Sequence, residues 1–186
     1  VVMYSFSDPS RSDLSSLYLW PEGFTLSAYE YAFSKKILFT GFFNSVFITV
    51  VGTAVNMILS VMLAYPLSRE KLPGKRFFSA FVVFPMLFSG GMIPTYLVIK
   101  QYGLLDSLWS LIGYMAVNVY NLLILTKFFK SIPESLIEAA KIDGCGDVMT
   151  LIQIVLPLSK ASLATIALFY AVQHWNEFLY STIYIN

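Results

Sequence analysis

The residues whose types and spacing invite a function lie between positions 127 and 160, a stretch too long for a simple turn. Ser131-Ile132-Pro133-Glu134 reads as a helix start, with Ser131 as cap and Glu134 three residues on completing a capping box. The helix carries Glu138-Ala139-Ala140 and stops at Gly144, where glycine supplies the left-handed turn of a C-terminal cap. Its length is about 18 Å. Asp147 then caps a second short helix over residues 148–155, which Pro157 ends. Ala139 and Ala140 carry so little side chain that another protein surface can approach the backbone closely. Glu138 and Asp143 set negative charge beside that small patch. An elbow of this kind, held between two apolar segments, suits the transfer of a push from a soluble partner.

Covalent chemistry finds little to work with. Cys145 is the single cysteine and His174 the single histidine, so no zinc framework and no internal disulfide can form. Cys145 reads as a small turn residue and His174 as a packed or interfacial one. No Gly-x-x-x-x-Gly-Lys-Ser/Thr phosphate loop is present. Asn118, Asn121, Asn176 and Tyr170 are polar groups in or near apolar segments, where each needs a partner. Hydrogen bonding between helices is their default role, and lining a substrate path is the functional alternative. Trp175, Tyr180 and Tyr184 read as an interfacial aromatic belt.

The elements that must position these residues are membrane helices. Of the 186 residues, 57% are hydrophobic and 12% charged, with a mean hydropathy of +0.69. Soluble domains carry about 25% charged residues. The net charge of +1 excludes nucleic-acid binding by bulk charge, and the apolar content excludes disorder. Residues 37–68, 77–99 and 107–126 hold no charge, and about 20 helical residues cross the bilayer hydrocarbon. Residues 161–176 make a fourth span whose far end carries His174-Trp175-Asn176-Glu177. Residues 1–6 read as the end of a further span, and the chain as a fragment. Gly90-Gly91, flanked by Pro85 and Pro94, kinks or partly unwinds the second span.

Basic residues set the orientation. Residues 69–76 carry Arg69, Lys71, Lys75 and Arg76, and residues 127–160 add Lys127, Lys130, Lys141 and Lys160. Placing both stretches in the cytoplasm leaves only Arg11, Lys35, Lys36 and Lys100 outside. The loop over residues 8–36 and the turn at Tyr102-Gly103-Leu104 then face outward.

The spacing Glu138-Ala139-Ala140, Gly144, Ile154-Val155-Leu156-Pro157 resembles the EAA loop of ABC importer permeases. Asn44-Ser45, Ile93-Pro94-Thr95-Tyr96, Gly103-Leu104, Ile142-Asp143-Gly144 and Trp175-Asn176-Glu177 extend the likeness along the chain. It is similar to the smaller permease subunit of maltose-type carbohydrate importers. Gly90-Gly91-Met92-Ile93-Pro94 and Leu104-Leu105-Asp106-Ser107-Leu108-Trp109-Ser110 resemble the subgroup for oligosaccharides and polysaccharide fragments. Cys145-Gly146 departs from the small residue and Ser or Asn usual after the glycine.

The resemblance implies an all-α, polytopic bundle of the type I importer permease fold. Residues 1–186 would form one transmembrane permease domain, a fragment with four complete spans of about six, with residues 127–160 as the cytoplasmic coupling loop. Glu138, Ala139, Ala140, Asp143, Gly144, Ile154, Leu156 and Pro157 would couple to an ATPase. Asn118, Asn121, Asn176 and Tyr170 would line a sugar path, and the belt aromatics could stack on sugar. The chain would be a transport subunit in a bacterial cell membrane and not an enzyme, with no cofactor of its own. ATP and magnesium would bind two partner ATPase subunits. A second permease subunit, an external sugar-binding protein and the lipid bilayer complete the implied partners.

An ion-coupled secondary sugar transporter is the competing function. That class places acidic residues within its spans, and the three longest charge-free windows hold none. A structural scaffold would leave the matched loop unexplained, and an intramembrane enzyme would lack a nucleophile–base pair.

Overall fold

The computed structural model describes residues 5–7, 20, 23–88 and 90–185. Residues 1–4 and Arg11 lie outside the described residues, so the expected span end at residues 1–6 is seen only at Ser5 and Phe6. Among the described residues every regular element is helical. In order these are α1 (Ser27–Ser34), α2 (Lys36–Ser68), α3 (Lys75–Leu87), α4 (Met92–Gln101), α5 (Leu108–Tyr114) and α6 (Val119–Lys130). Then follow α7 (Glu134–Ile142), α8 (Asp147–Leu158), α9 (Lys160–Trp175) and α10 (Leu179–Tyr184).

The chain divides into two compact units, Val1–Ser45 and Val46–Asn186. In the first, Phe6 stacks on Phe24 at 5.7 Å, and the Ser5 and Tyr29 hydroxyls lie 2.8 Å apart. The remaining description concerns the second unit.

Among the described residues one helix, α2, is long and apolar enough by itself to cross a membrane. Three bent pairs reach that length only when each is counted as one span: α3 with α4 at 114°, α5 with α6 at 55°, and α8 with α9 at 86°. The first bend falls where the Gly90-Gly91 interruption is expected: α3 ends at Leu87 and α4 begins at Met92, with Gly91 at its cap.

The polarity of α2 is inverted relative to a helix of a soluble protein. Its buried stripe includes Gly52, Asn56, Ser60, Ala64 and Ser68, spaced four apart and all small or polar. Its exposed side carries Val50, Ile58 and Met62. Small residues let helices approach closely in lipid, and polar ones find partners only against another helix. Helix α9 presents a matching four-residue stripe, Ser162, Ile166, Tyr170 and His174, all buried. Ala64, Tyr65, Leu122, Leu125, Phe129, Val155, Ile166 and Tyr170 share one core, joining α2, α6, α8 and α9. A second core holds Ile48, Ile99, Leu111, Ile112 and Tyr184.

Tyr184 therefore corrects the expected interfacial belt. It is buried, with Tyr114 at 5.9 Å and Tyr180 at 5.5 Å between ring centroids. Trp175 alone of the three belt aromatics is exposed. Packing of α10 back onto α5 draws the two tyrosines inward.

Candidate functional site

The acidic–alanine helix α7 is shorter than expected, Glu134–Ile142, because its start differs. Pro133 occupies the cap position with no side-chain hydrogen bond. Ser131 closes α6 instead, its hydroxyl donating to the Phe128 carbonyl at 2.7 Å. The expected capping box is thus not made: the serine falls within reach of the preceding helix's free carbonyls first.

The end of α7 follows the sequence expectation. Gly144 has φ +84°, its N–H donates to the Lys141 carbonyl, and the Cys145 N–H donates to the Ala140 carbonyl. Those two bonds make a Schellman motif. Ile137 and Ala140 face inward, while Glu138, Ala139 and Asp143 are exposed. Glu138 pairs with Lys71 at 3.5 Å, and Lys130 with Glu70 at 3.4 Å. The two basic stretches that the charge count assigns to one side are therefore in contact. Such exposed pairs contribute little stability.

Beyond Gly146, Asp147 is the first helical residue rather than the cap, and it pairs with Lys141 at 3.1 Å. Residues Leu151–Val155 form a π-helical segment. Pro157 does not end the helix, which continues to Leu158 and breaks at Ser159. The π-helical turn shifts the backbone bonding register, so a residue without an N–H is accommodated. Val155 is wholly buried, Ile154 and Leu156 are half-buried, and Pro157 is exposed.

A polar seam connects α2 to α9. Asn56 Nδ2 lies 2.9 Å from His174 Nε2, and the Ser60 and Tyr170 hydroxyls lie 2.7 Å apart. The Asn118 backbone N–H donates to the Tyr170 hydroxyl at 3.1 Å. The Asn118 side chain accepts from the Asn121 N–H, capping α6. Three of the four expected path residues, Asn118, Asn121 and Tyr170, are thus brought together. Asn176 stands apart, its amide donating to the Val172 carbonyl of its own helix. Glu177 accepts from the Tyr114 hydroxyl at 2.7 Å and from the Tyr180 N–H at 2.9 Å.

A cavity of about 530 Å³ opens beside this seam. Its polar lining comes from Asn118, Gln173, Tyr114 and Tyr120, its apolar lining from residues such as Pro85 and Val117. Nothing in the local sequence pattern around Gln173 or Tyr120 marks either as a cavity residue; only the folded chain brings them to Asn118. Ile142, 85% exposed, and Val148, 70% exposed, are large apolar side chains that flank the Gly144 turn.

Comparison with known proteins decides the family. Residues 56–185 match the family described as binding-protein-dependent transport system inner membrane component. The chain belongs to that family. This inner membrane component is 50% identical over 186 residues to the polygalacturonan/rhamnogalacturonan transport system permease protein YtcP of Bacillus subtilis (strain 168), covering 100% of this chain and 65% of the relative. It is 47% identical to Protein LplC of the same organism, covering 100% and 63%. The chain therefore spans just under two thirds of the length of these curated relatives. A solved structure of a bacterial ABC transporter involved in the import of the acidic polysaccharide alginate superimposes with a TM-score of 0.93 at 32% identity, covering 100% of this chain and 66% of that one. The fold is that of an ABC importer permease.

Proposed function

We propose that this chain is a membrane subunit of an ATP-driven importer for oligosaccharides, worked through α7 by a partner ATPase. One observation carries the reading. The exposed acidic–alanine helix α7 is joined, through α8, to a core that also contains α2, α6 and α9. Val155 sits in that core with Ala64, Leu125 and Ile166. A displacement of α7 therefore reaches three apolar helices through packed side chains.

In this reading the three bent pairs and α2 make four spans, and α7 with residues 69–76 lies in the cytoplasm. Two ATP-binding subunits supply the energy by closing around ATP and magnesium. Glu138, Ala139, Asp143 and Gly144 dock on one of them, while Ala140, expected from the sequence to join that patch, is buried and packs inward. Ile154, Leu156 and Pro157 hold the return of the loop to α9. Closure moves α7 and favours the outward-open arrangement, which is a population shift between two packings. A second permease subunit and an external binding protein complete the assembly, and sugar passes the cavity at Asn118 and Gln173. The relatives named for polygalacturonan/rhamnogalacturonan and alginate support oligosaccharides as the substrate class.

The ion-coupled alternative has no observation in its favour; Glu177 has both carboxylate oxygens engaged by Tyr114 and Tyr180. The test is uptake by vesicles containing the whole transporter with Glu138→Lys in this chain. ATP hydrolysis should continue while uptake fails. Normal uptake would refute the docking role.

A further inference from the structure

Arg69 follows the last residue of α2, and its guanidinium carbon lies 4.7 Å from the Tyr65 ring centroid. Its Nε and Nη2 are enclosed and have no hydrogen-bond partner among the described residues. Those two atoms are closed off beside the Tyr65 ring, and what a ligand can meet of Arg69 is the part that lines the adjoining cavity. The neighbouring cations are engaged. Lys71 pairs with Glu138, Lys141 pairs with Asp147, and the Lys75 amine donates to the Arg69 carbonyl at 2.8 Å.

A cavity of about 430 Å³ opens at Arg69, walled by Tyr65, Lys71, Leu72, Lys141 and Leu151 among others. A second cavity, of about 590 Å³, has a wholly apolar lining that includes Leu63, Phe77, Phe78 and Phe81. The two share Pro66 and Leu72. A cationic hollow thus adjoins a hydrocarbon-lined trough at the end of the longest apolar helix. A soluble anion would fill the hollow and leave the trough empty, and an uncharged lipid would bring no counter-charge to Arg69.

We propose that an anionic phospholipid binds here, its phosphate on Arg69 and an acyl chain along Phe77, Phe78 and Phe81. Guanidinium–phosphate bonds are charge-assisted, and basic pockets between helices on the cytoplasmic side select anionic headgroups. Because α8 supplies Asp147, Val148 and Leu151 to the wall of the hollow, the bound lipid braces the coupling loop against α2.

The test is native mass spectrometry of the intact, delipidated transporter with added phosphatidylglycerol or phosphatidylcholine of equal chain length. Wild type should retain phosphatidylglycerol about tenfold more tightly. Arg69→Gln should bring the two within about twofold, whereas Lys160→Gln should keep the preference. Phe78→Ser with Phe81→Ser should weaken both lipids, and sn-glycerol 3-phosphate should not displace either. Equal retention of the two lipids by wild type, an unchanged preference in Arg69→Gln, or displacement by the soluble phosphate would overturn the proposal. The wild-type comparison decides even where Arg69→Gln does not assemble, and it leaves the transport reading untouched.

Discussion

Gly52 lies directly against the His174 ring: a Cβ at position 52 would stand 2.6 Å from Nε2, the atom 2.9 Å from Asn56 Nδ2. The absent side chain is what allows α2 and α9 to bring their polar stripes together. Gly52→Ala should force the ring from its place and break the Asn56 contact, costing about 1–3 kcal/mol. The melting temperature of the purified transporter should fall; an unchanged value would show that the helices can separate freely here.

Gly144 is a different case. No atom lies within 4 Å of a Cβ built there, so only its φ of +84° resists substitution. Gly144→Ala should cost about 1–2 kcal/mol and loosen the Schellman turn. Gly144→Asp adds charge to the docking face and should uncouple ATP hydrolysis from uptake. Uptake per ATP hydrolysed, compared across the two variants, separates backbone strain from lost docking.

Ile142 is exposed at the end of α7, so Ile142→Asp should leave this chain folded while reducing recovery of the ATP-binding subunits on co-purification. Equal recovery would remove Ile142 from the interface.

Gln173 lines the cavity, whereas Asn176 bonds its own helix. Gln173→Ala should raise KM for the sugar by about twofold to tenfold, the worth of one neutral hydrogen bond. Asn176→Ala should leave it unchanged. The reverse order would move the path to the end of α9.

The coupling turn can be read from the sequence because its determinants are local: Gly144 needs only its own φ and two neighbouring carbonyls. The pairing of Asn56 with His174 cannot, since 118 residues separate them. Each stripe shows only that its own helix has a small or polar side, not which helix it meets. Pro157 misleads because a π-helical turn at Leu151–Val155 changes which backbone groups need partners. Tyr184 misleads because composition places tyrosines at an interface, while the return of α10 buries this one.

The most direct measurement of the central claim is disulfide crosslinking in membranes, with Ile142→Cys in a Cys145→Ser background and cysteines scanned over the ATP-binding subunit. Crosslinks that form there and shift position when ATP is added are the predicted result. Labelling of the same cysteine only from the outer face of the membrane, with no crosslink to that subunit, would contradict it.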